Sequence, residues 1–188
     1  CSMMEMVIKL MSLNTKGLNS PNKRRLALQE AKKCGAQVAF FQETHFKWNS
    51  RPKFTSKWYP HDFHTCYSAK KRGVSTVISK DVAFSLVRKI SDKKGRYLIL
   101  QCMLNNAPYT LINVYSPNEN QNEFLQMILA LTDMYSHGEV IIGGDTNCLL
   151  DRSRPEPKWA SSQRATRYQT LRPAKGIGRT KRPLNMIE

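Results

Sequence analysis

The chain has 188 residues, 40% of them hydrophobic, with 30 Lys and Arg against 14 Asp and Glu for a formal charge of +16. Such a length and apolar fraction exclude a wholly disordered chain and suit one domain with a buried core, while the charge favours a polyanionic partner, nucleic acid or an anionic membrane face. No apolar run approaches the roughly 18 to 20 residues that span a bilayer, and the start, CSMMEMVIKL, lacks a basic stretch followed by a long apolar one, so a soluble, unsecreted protein is expected.

In chain order, Met6 to Leu13 (MVIKLMSL) predicts a strand apolar on both faces, closed by Asn14. A turn-rich TKGLNS follows, then a helix with Ser20 as its cap, Pro21 as its first residue, Leu28 and Ala31 on its inner stripe and Gly35 as its stop. Gln37 to Phe41 (QVAFF) predicts a second buried strand running into Gln42, Glu43, Thr44 and His45. The segment from Lys47 to Tyr67 is rich in Pro, Lys and aromatics and reads as irregular surface that could line a groove; His61 and His64 within it read as structural. VSTVIS, RYLILQCML and YTLINVY predict three antiparallel strands, the last ending in Tyr115, Ser116, Pro117 and Asn118. Phe124, Ile128, Leu131 and Tyr135 mark a helix, and Val140 to Ile142 a buried strand stopped by Gly143 and Gly144 just before Asp145 and Asn147.

The cysteines, Cys1, Cys34, Cys66, Cys102 and Cys148, are odd in number and form no C-x-x-C pair, which points to a reducing compartment rather than to zinc or disulfides.

Four separate strands therefore deliver polar groups at their carboxyl ends: Asn14, Glu43, Tyr115 and the Asp145/Asn147 pair. SLNTKGL, FFQETH, INVYSPN and GGDTN, in this order and rough spacing, resemble the endonuclease/exonuclease/phosphatase superfamily. NSPNKRR, QETH, GRYLIL and LLDRSRP narrow the resemblance to the endonuclease domain of non-LTR (long interspersed element) retrotransposon reverse-transcriptase proteins, over about residues 6 to 155.

The resemblance implies an α/β fold: a two-sheet β-sandwich flanked by helices. It also implies Mg²⁺ (or Mn²⁺) held by Glu43 with help from Asn14. Tyr115 would bond the phosphate, Asp145 and Asn147 would orient and activate water, and Asn118 would lie against substrate. The expected activity is metal-dependent phosphodiester hydrolysis that nicks DNA, inside the cell and in the nucleus.

The chain also departs from the family's pattern. The superfamily completes its site near the C-terminus with an Asp in a strand and a Ser-Asp-His element, but here no Asp follows Asp151 and no His follows His137. Thr146 stands where Phe is usual. Residues 152 to 188 carry ten Lys and Arg against two Glu, +8, with few large aliphatics. They read as a disordered basic tail after an incomplete domain spanning 1 to 151 that lacks its C-terminal strands. The expectation is thus a weak or inactive nuclease. The alternatives are a non-enzymatic nucleic-acid-binding protein acting through its charge, and a phosphatase of the same superfamily.

Overall fold

The computed structural model describes residues 8–47, 49, 53–147, 167–171 and 185–187. Two β-α-β crossovers organise it. In the first, β1 (Ile8–Asn14), α1 (Pro21–Lys33) and β2 (Val38–Gln42) place β1 parallel to β2, with Leu10 opposite Val38 and Asn14 opposite Gln42. In the second, β7 (Ala107–Tyr115), α2 (Gln121–Tyr135) and β8 (Glu139–Asp145) do the same, with Tyr115 opposite Asp145. A parallel pair needs a long crossover, and a helix supplies it while covering one face of the sheet.

The remaining strands are β3 (His61–Thr65), β4 (Val74–Ile78), β5 (Phe84–Ser91), β6 (Tyr97–Leu104), β9 (Arg167–Leu171) and β10 (Asn185–Ile187). They complete one sheet in the order β3-β4-β2-β1-β9 and a second in the order β10-β8-β7-β6-β5. This is the expected two-sheet sandwich with helices outside.

Strand periodicity explains why the central strands read as unbroken apolar runs. In β1 and β2, Leu10, Val38 and Phe40 face the second sheet, where they meet Leu98, Leu100, Leu111 and Ile141. Their neighbours Met11, Leu13, Ala39 and Phe41 face outward onto Leu28 and Ala31 of α1. Across the sandwich, Ile112, Val114, Val140 and Ile142 pack outward against Phe124 and Ile128 of α2. Each Val, Leu, Ile, Phe or Met among them contributes ~1.5–3 kcal/mol of burial, and the central strands are covered on both faces.

Three expectations change. VSTVIS is β4 and pairs with β2 and β3 in the first sheet, so only β6 and β7 of the three predicted strands pair with each other. The segment read as irregular contains β3, in which His64 Nδ1 lies 2.7 Å from Ser75 Oγ and Nε2 lies 2.9 Å from Asp62 Oδ2. Within the stretch expected to be a disordered tail, 167–171 pairs antiparallel with β1 and 185–187 parallel with β8. Composition misses such segments because a sheet edge offers a row of unpaired N–H and C=O groups that any extended backbone can satisfy. The other residues from 152 onward lie outside the described set. No helix among the described residues is long and apolar enough to cross a membrane.

A buried polar chain crosses between the sheets beneath the carboxyl ends of the strands. Gln42 Nε2 donates to Asn113 Oδ1 at 2.9 Å and to Ser12 Oγ at 3.2 Å, and Asn113 Nδ2 donates to the Ser75 carbonyl at 2.9 Å. Both amides are almost fully buried. Asn113→Ala would leave Gln42 Nε2 with only its longer bond to Ser12 and take the amide donor from the Ser75 carbonyl, so a loss of about 1–3 kcal/mol is expected in denaturant unfolding. A loss under about 0.5 kcal/mol would show that the chain does not fix the sheets.

Candidate active site

Both crossovers end at the same rim of the sandwich, and there the four strand ends meet. Asn14 closes β1 and Glu43 follows β2, while Tyr115 and Asp145 close β7 and β8. The Asn14 side-chain amide is the hub: Nδ2 donates to Glu43 Oε1 at 2.8 Å and to Asp145 Oδ2 at 2.8 Å. One carboxylate from each sheet is thereby held on a single nitrogen. Asn14 Oδ1 in turn accepts from the Lys16 backbone N–H at 3.2 Å.

Backbone constraints place Glu43 where an ordinary strand residue could not sit. Its φ is +53°, and His45 and Arg72 are also left-handed at +58° and +62°. Gly17 N–H donates to the Glu43 carbonyl at 2.7 Å, and the N–H groups of Thr44 and His45 donate to the carbonyls of Gly73 and Arg72 at 3.0 and 2.9 Å. These bonds hold a conformation that disfavours any residue with a Cβ. Gly73 must be glycine, since a Cβ there would lie 2.8 Å from Thr44 Oγ1 and 3.3 Å from the Thr65 carbonyl.

Around this centre, His45 Nε2 lies 3.5 Å from Glu43 Oε2. The Tyr115 phenol lies beside Glu43 and is pushed up to about 12. Burial is the largest cause, followed by the Glu43 charge, the hydrogen bond to Glu43 and the Asp145 charge; Arg72 pulls the other way. Tyr115 is thus a neutral donor throughout the physiological range. The folded state holds this proton more tightly than the unfolded chain, so the associated stability is complete below pH 10 and is lost between about 10 and about 12. Tyr115→Phe should therefore lessen the alkaline decline of unfolding free energy, leaving the part due to the Tyr59, Tyr97 and Tyr109 phenols and the Cys102 thiol, which burial also raises. An unchanged decline in the variant would contradict this assignment.

The other expected site residues are placed differently. Asn147 is exposed, donates its backbone N–H to Asp145 Oδ1 at 3.1 Å, and donates Nδ2 to the Ser116 carbonyl at 2.7 Å. Its amide braces the end of β8 to the end of β7. Asn118 is exposed on the β7–α2 connection. Arg72 was not foreseen; the only sequence signal was a basic KKR immediately before Gly73.

The donor set can be tested against the magnesium-class ion. No group of three or more His, Cys, Asp and Glu able to hold a metal occurs among the described residues. Two carboxylates beside an amide oxygen are nevertheless what such a hard ion takes from a protein, its other positions going to water and substrate phosphate. Glu43 and Asp145 supply the two carboxylates, and Asn14 would add its oxygen on turning its amide over, since Nδ2 faces both acids and Oδ1 accepts from the Lys16 N–H.

A sequence model of the Endonuclease/Exonuclease/phosphatase family matches residues 11–178, and the chain belongs to that family. Among solved structures it is similar to D. rerio TDP2 complexed with single strand DNA product (16% identity, TM-score 0.58, 76% of this chain and 62% of that one). It is also similar to an AP endonuclease from Archaeoglobus fulgidus (19%, 0.57, 77% and 59%) and to a humanized D. rerio TDP2 (16%, 0.56, 77% and 64%). At these identities the likeness is one of fold, and the chain spans less than two thirds of each of these structures.

Proposed function

We propose that this chain is a divalent-metal-dependent phosphodiesterase acting on DNA, of the kind found at the head of non-LTR retrotransposon proteins, with the nucleus as its place of work. One observation carries the reading: carboxylates from two different sheets converge on the single amide of Asn14. A structural salt link would pair an acid with a base. Two acids brought together are instead a place for a cation.

Glu43 and Asn14 would hold Mg²⁺ or Mn²⁺, with Asp145 beside them. The ion, when bound, neutralises charge that develops on the phosphate. Asp145 is placed to accept a proton from water. Tyr115, neutral and already a donor in the site, can turn its hydroxyl to a phosphate oxygen. Asn147 keeps Asp145 in position through the backbone bond to Oδ1.

The 188-residue chain by itself has no counterpart among residues 152–188 to the Asp and His that complete sites of this type, so slow cleavage is expected, ~10²- to 10³-fold or more below a complete site. A second reading, nucleic-acid binding without catalysis, is favoured by the +16 charge.

Supercoiled plasmid separates the two readings. With ~5 phosphate contacts, log K should fall against log salt with a slope of about −4.5. Slow nicking that needs Mg²⁺ or Mn²⁺ supports the hydrolase, whereas binding without any nicking at high protein concentration leaves only the second reading. A salt-independent affinity would overturn both.

A further inference from the structure

One flank of α1 bears a basic groove, distinct from the rim. Arg25, Leu28, Gln29 and Lys32 lie at helical spacing along one stripe of α1, and with Lys53, Ser56 and Trp58 from the facing loop they line a groove of about 370 Å³. No residue lining it is acidic. Around the Trp58 indole, Lys32 Nζ sits 3.7 Å from the ring centroid, Lys80 Nζ 4.7 Å and Lys57 Nζ 5.8 Å.

Some of these cations have partners: Arg24 donates to the Leu18 and Asn19 carbonyls, and Lys80 lies 3.0 Å from Asp81. Arg25, Lys32 and Lys53 belong to no ion pair among the described residues. Like charges gathered in a concavity repel one another unless an anion enters it. A basic surface that is merely solvated would be convex and interspersed with acids.

The groove has a direction. α1 runs back along β1 and β2, so Pro21 lies toward the Glu43 rim and Lys32 toward the opposite end, where Lys80 N–H bonds the Trp58 carbonyl and Tyr59 bonds the Ala36 carbonyl. From Pro21 to Lys32 the helix rises ~16 Å, room for a few successive phosphates of an extended single strand. A basic track with an aromatic ring at its end is the arrangement that holds a single strand by its phosphates and one base.

We propose that this groove is a single-stranded nucleic-acid site, separate from the reacting centre, that carries the strand away from the rim along α1 to Trp58. The proposal rests on the nucleic-acid reading above, and the test separates the two. A labelled single-stranded oligonucleotide is titrated in chelator, so that no cleavage intervenes, into wild type, Glu43→Gln, and the combined Arg25→Gln, Lys32→Gln, Lys53→Gln variant, with thermal melts confirming that each is folded. The salt slope of the combined variant should be shallower by about 2, at about 0.7 per lost phosphate contact, and its low-salt affinity on the order of tenfold weaker. Glu43→Gln should keep the wild-type slope. Restoring charge with Lys32→Arg and Lys53→Arg should keep it as well. In a Trp48→Phe, Trp159→Phe background, Trp58 emission should change on saturation. An unchanged slope in the combined variant, or Trp58 emission that does not move, overturns the groove while leaving the nucleic-acid reading intact. A wild-type protein that binds no oligonucleotide overturns both.

Discussion

Glu43→Gln should lower the rate of metal-dependent strand cleavage by about two to three orders of magnitude while leaving DNA affinity unchanged or slightly tighter. The substitution keeps the shape of the side chain and its ability to accept from Asn14 Nδ2, bonded at 2.8 Å, and from Tyr115. It removes one of the two negative charges on which the proposed cation site rests. A metal that binds only the folded state stabilises it by ~2.7 kcal/mol at a concentration 100 times Kd and so raises its melting temperature; a Mg²⁺- or Mn²⁺-dependent shift in wild type should disappear in the variant. Cleavage that persists at the wild-type rate, with the metal shift intact, would remove Glu43 from the site.

Gly144→Ala should be more damaging than any surface change and should act through the fold. A methyl group on Gly144 would lie 1.9 Å from the Val114 carbonyl oxygen and 2.8 Å from the Val114 nitrogen and carbonyl carbon. All three are backbone atoms of the parallel partner strand, in register with Gly144 itself. The residue's φ of +143° adds strain of its own. Relief requires β7 and β8 to part just before Tyr115 and Asp145, so a loss of about 4 kcal/mol or more is expected, a large share of a domain's 5–15 kcal/mol. Soluble yield and a chemical melt would read it. Gly35→Ala is the control: its φ is +64°, but the new methyl meets only the Lys9 side chain at 3.8 Å, and about 1 kcal/mol is expected. Equal effects of the two substitutions would refute the steric argument.

The elements legible from sequence were those whose side chains carry the structure. β1, β2, β6, β7 and β8 are apolar because both of their faces are covered, and α1 and α2 repeat at helical spacing. β5 escaped notice because most of its residues are exposed, including Leu86 and Val87. β3 was hidden in a Pro- and aromatic-rich stretch, and β9 and β10 join through backbone pairing, which composition does not reveal. For the site, an apolar run ending in a polar residue exposed Asn14, Glu43, Tyr115 and Asp145. That Asn14 grips both acids required the register of two sheets. The amides of Gln42 and Asn113 sit inside apolar runs, where nothing local shows that they meet. Asn147 was legible only as a polar residue just past β8; its bond to the Ser116 carbonyl depends on how β7 and β8 end.

The left-handed backbone at Glu43 sets durability against chemistry at one residue. Glycine would relax a φ of +53°, and asparagine would tolerate it better than glutamate does. Either change would also take an acid away from its neighbour Asp145, so both strain and charge repulsion favour losing the side chain that the chemistry needs. Variants chosen only for heat resistance would therefore drift toward Gly or Asn at this position and become sturdier as they lost the acid that the proposed cation site needs. Glutamate persists there only where something other than stability is being selected.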